Sequence, residues 1–581
     1  MTNTEMAQIF TRIAGLMEIK GENLYKILAY RRAAESLTAL GEDIQTVYQQ
    51  GRLKEVPGVG KAIAEKIEEI LTTGRLEFLE RLEQEVPPTL LELLEVPDVG
   101  PKKVALFWRQ AGVTNLTELG LAARAGKLRD LPGIGEKSEA RIVAGLEALA
   151  RRSKRMLLGT AYPIAQTWLA WIRDLPGVEA AEAAGSLRRW KATIGDLDIV
   201  VASREPGPIM EAFTHHAEIE RILGQGENKS SVQLRSGPNI QLWIQPPERF
   251  GSLLQFVTGS KDHNVRLREY AQKRGLSLSE RGLLAAGGSE QTFAREEDLY
   301  AALGMPWIPP EMREDRGEIQ AALAGKLPHP VEIADIHSDL HTHSDWSDGV
   351  GTLRAMAEAA RARGLKVLAI TDHSGGLGIT GGLTGDKVIR QRKEIDEVQR
   401  QMGDSILLLQ GSEVEIHADG SLDFSDEVLA QLDLVVASLH TSLRQPREQV
   451  TARLLKAIRN PHVDIIGHPS GRLLPNREGA DLDWEAVLSA AQEHGTVLEI
   501  DAHPHRLDLD EVYARRAGEL GIPISIDSDA HAPEQFEVLK FGVSVARRAW
   551  LEPQQIINTW PAERLIKWLR DRGSNPGRMG A

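Results

Sequence analysis

Through the first 150 positions apolar residues recur at three- and four-residue spacing, in short runs broken by Gly and Pro, which predicts a series of short helices. Strand-like alternation is missing there. Between residues 156 and 245 helical stretches alternate with β-rich runs such as LDIVVAS and NIQLWIQ, predicting a mixed α/β domain. Residues 246–315 read as a smaller α+β unit, and the polar stretch PPEMREDRGEIQAALAGKLPHPVE, with proline at both ends, as a boundary and linker. From Ile333 onward apolar strands alternate with helices such as TLRAMAEAARARG, the order expected of a βα barrel or doubly wound sheet. The terminal DRGSNPGRMGA is expected to be disordered.

One motif recurs in the helical part: EVPGVGKAIAEKI from Glu55, EVPDVGPKKVALF from Glu95 and DLPGIGEKSEARI from Asp130. Each is a Gly-centred or Asp-containing turn that opens a helix, so main-chain amides at the helix N-terminus face outward, where an oxyanion can sit. The repeat resembles the helix-hairpin-helix motif, which grips DNA phosphates without reading sequence. A single copy reads equally well as an ordinary interhelical turn. Three copies point to DNA, with Gly58, Gly60, Val99, Gly100, Gly133 and Gly135 as the contact positions.

Composition narrows the chemistry. A chain of 581 residues is too long for one core and predicts several domains. No apolar run approaches the roughly 18 residues of a membrane span, and the N-terminus lacks a secretion pattern, so a cytoplasmic protein with no membrane partner is expected. With Cys at 0, disulfides, thiolate zinc sites and iron-sulfur clusters are excluded, and any metal must be held by His, Asp and Glu. The net charge of -14 argues against attraction of nucleic acid by the whole surface. The first part of the chain is close to neutral, so DNA contact there falls to backbone amides and local basic patches.

At Gly185 the sequence reads GSLRRWKATIGDLDIVV, with Asp196 and Asp198 two apart just before and within an apolar strand, on one face of it. Such a pair can bridge two divalent ions that neutralise a triphosphate. The DxD alone is a weak signal, more often a turn or strand edge. Joined to the upstream GS it resembles the nucleotidyltransferase fold, and family X DNA polymerases in particular. FVTGSKDHN from Phe256 resembles the segment of that family that closes on the nucleotide sugar, and LAYRRAAESL with Tyr30 resembles its N-terminal domain. The resemblance implies that Ser186 and Arg189 hold triphosphate oxygens, Phe256 and Gly259 the sugar and Asn264 the base edge, with Mg²⁺ or Mn²⁺ as the palm ion. Lys66 falls where related repair polymerases carry a Schiff-base lysine, and reads equally as a solvated helix lysine. The sequence departs from the family at its third catalytic carboxylate, which aligns with Gln241. An amide neither compensates an ion's charge nor accepts the primer hydroxyl proton, so weak polymerisation is expected. Trp190 and Val257 also replace residues usual around this pocket.

The second half concentrates histidines and acids at the ends of apolar strands: His341, His343 and Asp348, then His373, Glu413, His440, His468, Asp529 and His531. Strand ends of a βα barrel converge on one face, so these side chains can meet. A single strand-end histidine is more often structural; repetition at strand after strand makes that reading hard to sustain. The donor set exceeds the needs of one tetrahedral ion and suits two or three. It resembles the polymerase and histidinol phosphatase (PHP) phosphoesterases, whose HxH, TDH, GxE, SLH, GHP and SDAH positions are all present. The resemblance implies Mn²⁺ or Zn²⁺, water activation at phosphorus, and His341, His343, Glu413 and Asp529 as direct ligands with Glu413 or an Asp bridging. Arg506 reads as a phosphate contact or as a salt bridge.

The expected architecture is multidomain: an all-α helix-hairpin-helix part (residues 1–82 and a fingers-like 83–153), a nucleotidyltransferase α/β palm (154–245), a thumb (246–315), a linker (316–332) and a distorted (β/α)7 PHP barrel (333–573). The expected function is gap-filling DNA repair synthesis, as in base excision repair, with metal-dependent removal of nucleotides from 3′ ends, on gapped or primer-template DNA and deoxynucleoside triphosphates (dNTPs), by a monomer. Two other readings stand beside it: a 3′ exonuclease on a non-catalytic polymerase scaffold, and a small-molecule phosphatase.

Overall fold

A computed structural model describes residues 3–38, 40, 44–152, 155–285, 288–377 and 381–572; all but the first two residues of the terminal segment expected to be disordered lie outside these. The chain divides into two compact units, one preceding Arg155 and one beginning there. The first is helical. Its helix Lys61–Thr73 shows why: Ile63, Ala64, Ile67 and Ile70 recur at three- and four-residue spacing and are buried, and Gly74, left-handed at φ +73°, ends it. Phe10, Ile13, Leu37, Val86, Leu90, Phe107 and Ile142 complete one core.

The second unit opens with a five-stranded sheet in the order Ala180–Ala183, Leu197–Ala202, Asn239–Gln245, Lys229–Leu234, Ile219–Gln225. Leu197–Ala202 and Asn239–Gln245 run parallel; the other pairings are antiparallel. Leu197, Ile199 and Val201 pack with the helices Leu158–Arg173 and Pro206–Thr214, while Val200 turns to Leu253 and Leu254. Period-two alternation therefore sends Asp198 to the Val200 face. A small α+β unit follows, with a three-stranded meander and a core around Leu267, Phe293, Leu299, Tyr300 and Ile308. The polar segment that reads as a linker carries the helix Glu318–Leu323, whose Ile319 and Ala322 join that core. Its Glu318 is buried because His263 Nδ1 lies 2.6 Å from its carboxylate and two backbone amides donate to it.

The last sheet has seven parallel strands in chain order, from Ser338–Asp339 to Ile524–Asp527. A parallel bridge between Thr342 and Ala530 joins first to last, giving a nearly closed seven-stranded barrel as the sequence predicted. Val367, Ala369, Leu409, Leu434, Val436, Ile465 and Val497 gather in one cluster with Trp560, Leu565 and Leu569 of the C-terminal segment. The alternating residues Leu368, Ile370, Leu408, Val435, Ile466 and Leu498 pack against the surrounding helices. Strands buried on both faces explain the continuous apolar runs of the sequence.

Candidate functional site

The three repeats fold into the same turn. Gly58, Asp98 and Gly133 are left-handed at φ +76°, +65° and +79°. The next residues, Val59, Val99 and Ile134, are buried, and each amide donates back to Val56, Val96 or Leu131 at 3.0 Å. Val99 is thus committed to the turn by side chain and by amide. Gly60, Gly100 and Gly135 are exposed at the openings of the helices Lys61–Thr73, Pro101–Ala111 and Glu136–Arg152. Asp98 tolerates the glycine conformation while its carboxylate pairs with Arg141 at 3.3 Å and its carbonyl accepts from Lys103 at 2.7 Å. In the same unit Tyr30 is stacked between Phe10 and Phe78, beside a cavity of about 440 Å³ that Lys20, Lys26 and Arg81 help to line. The Lys66 ammonium lies over Phe78 at 5.1 Å.

In the five-stranded sheet, Asp198 and Gln241 face each other in register on parallel strands. A Cβ on Gly185, at φ +58°, would lie 2.0 Å from Asp198 Oδ2, so the glycine of the GS motif is there to let the turn reach the carboxylate. Burial and the neighbouring Asp196 push Asp198 up to about 6. The Gln241 side-chain amide donates to Asp196 at 2.9 Å, and that of Asn239 reaches the other oxygen at 3.3 Å. Asp196 and Asp198 suit a hard cation, but the third position aims an N–H at Asp196 and opposes a second one. Ser186 lies on the short helix Gly185–Arg188 that leads to Arg189. The Arg189 guanidinium is engaged, Nε with Glu314 at 3.0 Å and Nη1 with the Thr258 carbonyl. A Cβ on Gly259 would stand 3.3 Å from Arg189 Nη1, which brings those two predicted positions together. Asn264 donates to the Phe256 carbonyl and accepts from Gln255, both at 2.8 Å, and the Phe256 ring faces Arg268. Trp190 stacks on Tyr162 at 5.2 Å and meets Phe541 at 6.1 Å, so its bulk is taken up by the barrel's outer helix. Val257 packs against the buried cluster of Ala184, Val200, Leu253 and Leu254.

The barrel brings all nine predicted residues to the C-terminal ends of its strands. Glu413 is the hub: Oε1 lies 2.8 Å from His468 and 3.1 Å from His440, and Oε2 lies 2.9, 3.4 and 3.5 Å from His373, His341 and His343. Asp529 Oδ1 approaches His343 at 3.1 Å. Asp348, on a partly exposed loop, faces His531 at 3.4 Å and His373 at 3.5 Å. Three groupings have ligand spacing: His343, Asp348, His373 and His531; His341, His343 and Asp529; His373, Glu413 and His440. The buried atoms His341 Nε2, both ring nitrogens of His343, His373 Nδ1, Glu413 Oε2 and Asp529 Oδ1 have no hydrogen-bond partner. Native interiors do not leave so many polar atoms together unsatisfied, and this set fits divalent metal ions. Burial alone would raise the Glu413 carboxyl, but His440, His373 and His341 hold it well below the usual range, ready to ligate. His343 is pushed down to about 3 by burial and by its histidine neighbours, and so presents neutral imidazole. Backbone strain accompanies the chemistry, with His468 and Asp529 at φ +27° and +50°.

A second layer escaped the sequence reading. Glu499 accepts from His341 Nδ1 at 2.7 Å and Glu415 from His440 Nδ1 at 2.8 Å, fixing which ring nitrogen turns inward. Asp372 accepts from Ser344, Ser347 and Gln391. The signal was present, since Glu415, Glu499 and Asp501 are acids set inside apolar strands. Arg506 pairs through Nε with Asp501 at 3.2 Å and approaches Asp529 at 3.5 Å, while its Nη1 is buried and unpartnered. It serves as a salt bridge with one donor to spare.

Comparison with known families and proteins agrees with this layout. The chain matches the helix-hairpin-helix domain over residues 1–76, the SAM-like helix-hairpin-helix tandem over 90–148, the DNA polymerase beta thumb over 253–314 and the PHP domain over 339–503. It is 36% identical over 561 residues to the DNA polymerase/3'-5' exonuclease PolX of Bacillus subtilis, covering 96% of this chain and 97% of that one. DNA polymerase lambda of Rattus norvegicus is 24% identical over 54% of this chain and 56% of its own. A probable phosphatase of Thermoanaerobacter pseudethanolicus is 32% identical over 38% of this chain and 89% of its own.

Proposed function

Since the chain belongs to the PolX family of bacterial DNA polymerase/3'-5' exonucleases, we propose that it fills gaps in DNA during repair and removes nucleotides from 3′ ends at the histidine cluster of its barrel. The observation that carries the exonuclease half is Glu413 at the centre of five histidines. Two or three ions, Mn²⁺ or Zn²⁺, held by His341, His343, Asp348, His373, Glu413, His440, His468, Asp529 and His531, would supply a water of lowered pKa and charge compensation at the scissile phosphate. The protein's own groups do the rest. Glu499 and Glu415 keep His341 and His440 in the tautomer that turns Nε2 inward. The spare Nη1 of Arg506 offers an N–H to a phosphate oxygen. Sequence-independent grip on gapped or primer-template DNA comes from the exposed turns at Gly60, Gly100 and Gly135.

The domain roles follow the same reading: DNA-binding helices over 1–82 and 83–153, palm over 154–245, thumb over 246–315 and phosphoesterase over 333–573. In the palm, Asp198 and Asp196 take Mg²⁺ or Mn²⁺, Ser186 and Arg189 the triphosphate, and Phe256, Gly259 and Asn264 the nucleoside. Polymerisation is the weaker activity because Gln241 donates to Asp196 where a carboxylate would accept. We place the protein in the cytoplasm as a monomer; among the described residues no helix is long and apolar enough to cross a membrane.

A second reading, an exonuclease whose palm only holds DNA, is favoured by the same Gln241 contact. The small-molecule phosphatase reading has against it the three turns of identical geometry. One experiment separates all three: a 5′-labelled primer on gapped DNA with Mn²⁺ and dNTPs, with wild type and His341→Ala, beside a simple phosphate ester. Shortening by wild type and extension by His341→Ala support the bifunctional enzyme. Shortening by wild type with neither activity in the variant favours the scaffold, and activity on the ester alone sinks the nucleic-acid reading.

A further inference from the structure

Arg189 is held from two sides. Glu314 Oε1 accepts from Arg189 Nε at 3.0 Å, and the same oxygen accepts from Arg548 Nη1 at 3.1 Å. Arg548 is the last residue of the barrel's outer helix Leu539–Arg548 and is 1% exposed. Its Nη1 also donates to the Arg189 carbonyl at 2.7 Å, its Nη2 donates to Glu511 at 2.7 Å, and its Nε is buried without a partner. Glu511 in turn lies 3.6 Å from Lys191 and 3.5 Å from Arg316. Among the described residues the ion pairs of Arg189, Arg548, Lys191 and Arg316 thus fall on two carboxylates, Glu314 and Glu511. Burial lowers the proton affinity of Lys191, the Arg548 charge adds to this, and Glu511 and Glu314 oppose it.

A mostly buried cluster with excess positive charge gains when an anion arrives. If Arg189 turns to a triphosphate, Glu314 is not stranded, because Arg548 already occupies the same oxygen. We propose that Arg548 is a positioning residue for nucleotide binding: by neutralising Glu314 from the barrel side it keeps Arg189 exchangeable, so the palm's affinity for a deoxynucleoside triphosphate is set in part by the phosphoesterase domain. The inference rests on the reading of Arg189 as a triphosphate ligand.

The test is equilibrium dialysis of labelled dTTP against the full-length protein in Ca²⁺, which reads binding independently of any polymerisation. Arg548→Ala leaves Glu314 to Arg189 alone and is expected to weaken binding about tenfold, the size of one charge-assisted hydrogen bond. Arg548→Lys restores part of the affinity, and Glu314→Gln, which frees Arg189, tightens it. Opposite shifts for Arg548→Ala and Glu314→Gln are the signature, since partners with a purely structural role weaken binding together. Weakening in both, or no change in Arg548→Ala, overturns the inference while leaving Arg189 its role. Undiminished binding in Arg189→Ala overturns that role and the inference with it.

Discussion

Gln241 donates its side-chain N–H to Asp196 at 2.9 Å, so the position beside the two aspartates presents a donor where a cation would need an acceptor. A carboxylate there would repel Asp196 unless a cation lay between them, and would accept a proton from the primer hydroxyl. Gln241→Asp is therefore expected to speed single-turnover primer extension by about 10²-fold, the lower range for a general base. Rapid-quench extension on gapped DNA in a His341→Ala background reads this without interference from shortening. An unchanged rate would locate the barrier elsewhere than at Gln241.

The hub position of Glu413 separates it from residues that only orient a ligand. Glu413→Gln removes the negative charge that Glu413 presents to five histidines, and should abolish 3′ shortening and lower the metal content found by elemental analysis. Glu499→Gln leaves the donors in place but releases His341 Nδ1, with an expected loss of about 10- to 100-fold. Chelation should silence the wild-type exonuclease, and Mn²⁺ should restore it. Equal defects in the two variants would contradict the hub.

Much of this was legible before the structure because the chemistry sits where the pattern is regular. The nine barrel residues each follow or interrupt an apolar run, and parallel strands carry such residues to one end. Asp196, Asp198 and Gln241 were legible for the same reason. Glu415 and Glu499 were not singled out because an acid inside an apolar strand carries no sign of which histidine it will meet; only barrel closure brings Glu499 to His341. The polar stretch around Glu318 reads as linker because composition does not record that His263, 55 positions earlier, waits for it. Nor does an arginine's charge tell which acid it will meet in the fold, as Arg189 meets Glu314.

The shared turn of the three repeats makes the cost of a side chain depend on its surroundings. Gly133 has open space where a Cβ would stand, so Gly133→Ala should cost only the left-handed strain, about 1–2 kcal/mol. At Gly58 the Cβ would also stand 3.2 Å from that of Arg32, and Gly58→Ala should cost more. Asp98→Gly relieves strain but gives up the exposed pair with Arg141, worth about 0–1 kcal/mol, and should be neutral to slightly stabilising. Chemical unfolding of the three variants checks the order, and a Gly133→Ala cost as large as that of Gly58→Ala would refute it.

Glu296 ties the five-stranded-sheet region to the segment after it through two arginines, accepting from Arg188 at 2.7 and 2.9 Å and from Arg313 at 2.7 and 3.2 Å. Burial would raise its carboxyl, but Arg313 and Arg188 bring it down from 4.5 to about 2. Glu296→Gln leaves the Arg313 guanidinium, 0% exposed, without its counter-charge, and should destabilise the second unit by about 3–5 kcal/mol at neutral pH. The sign of the pH dependence follows from a folded-state value below the unfolded one: the stabilisation is complete above pH 4.5 and is lost as pH falls towards about 2. The gap between wild type and Glu296→Gln in urea unfolding should therefore be widest at neutral pH and narrow steadily from pH 4.5 down to about 2. A gap that stayed constant across that range would mean that the pair contributes through shape alone.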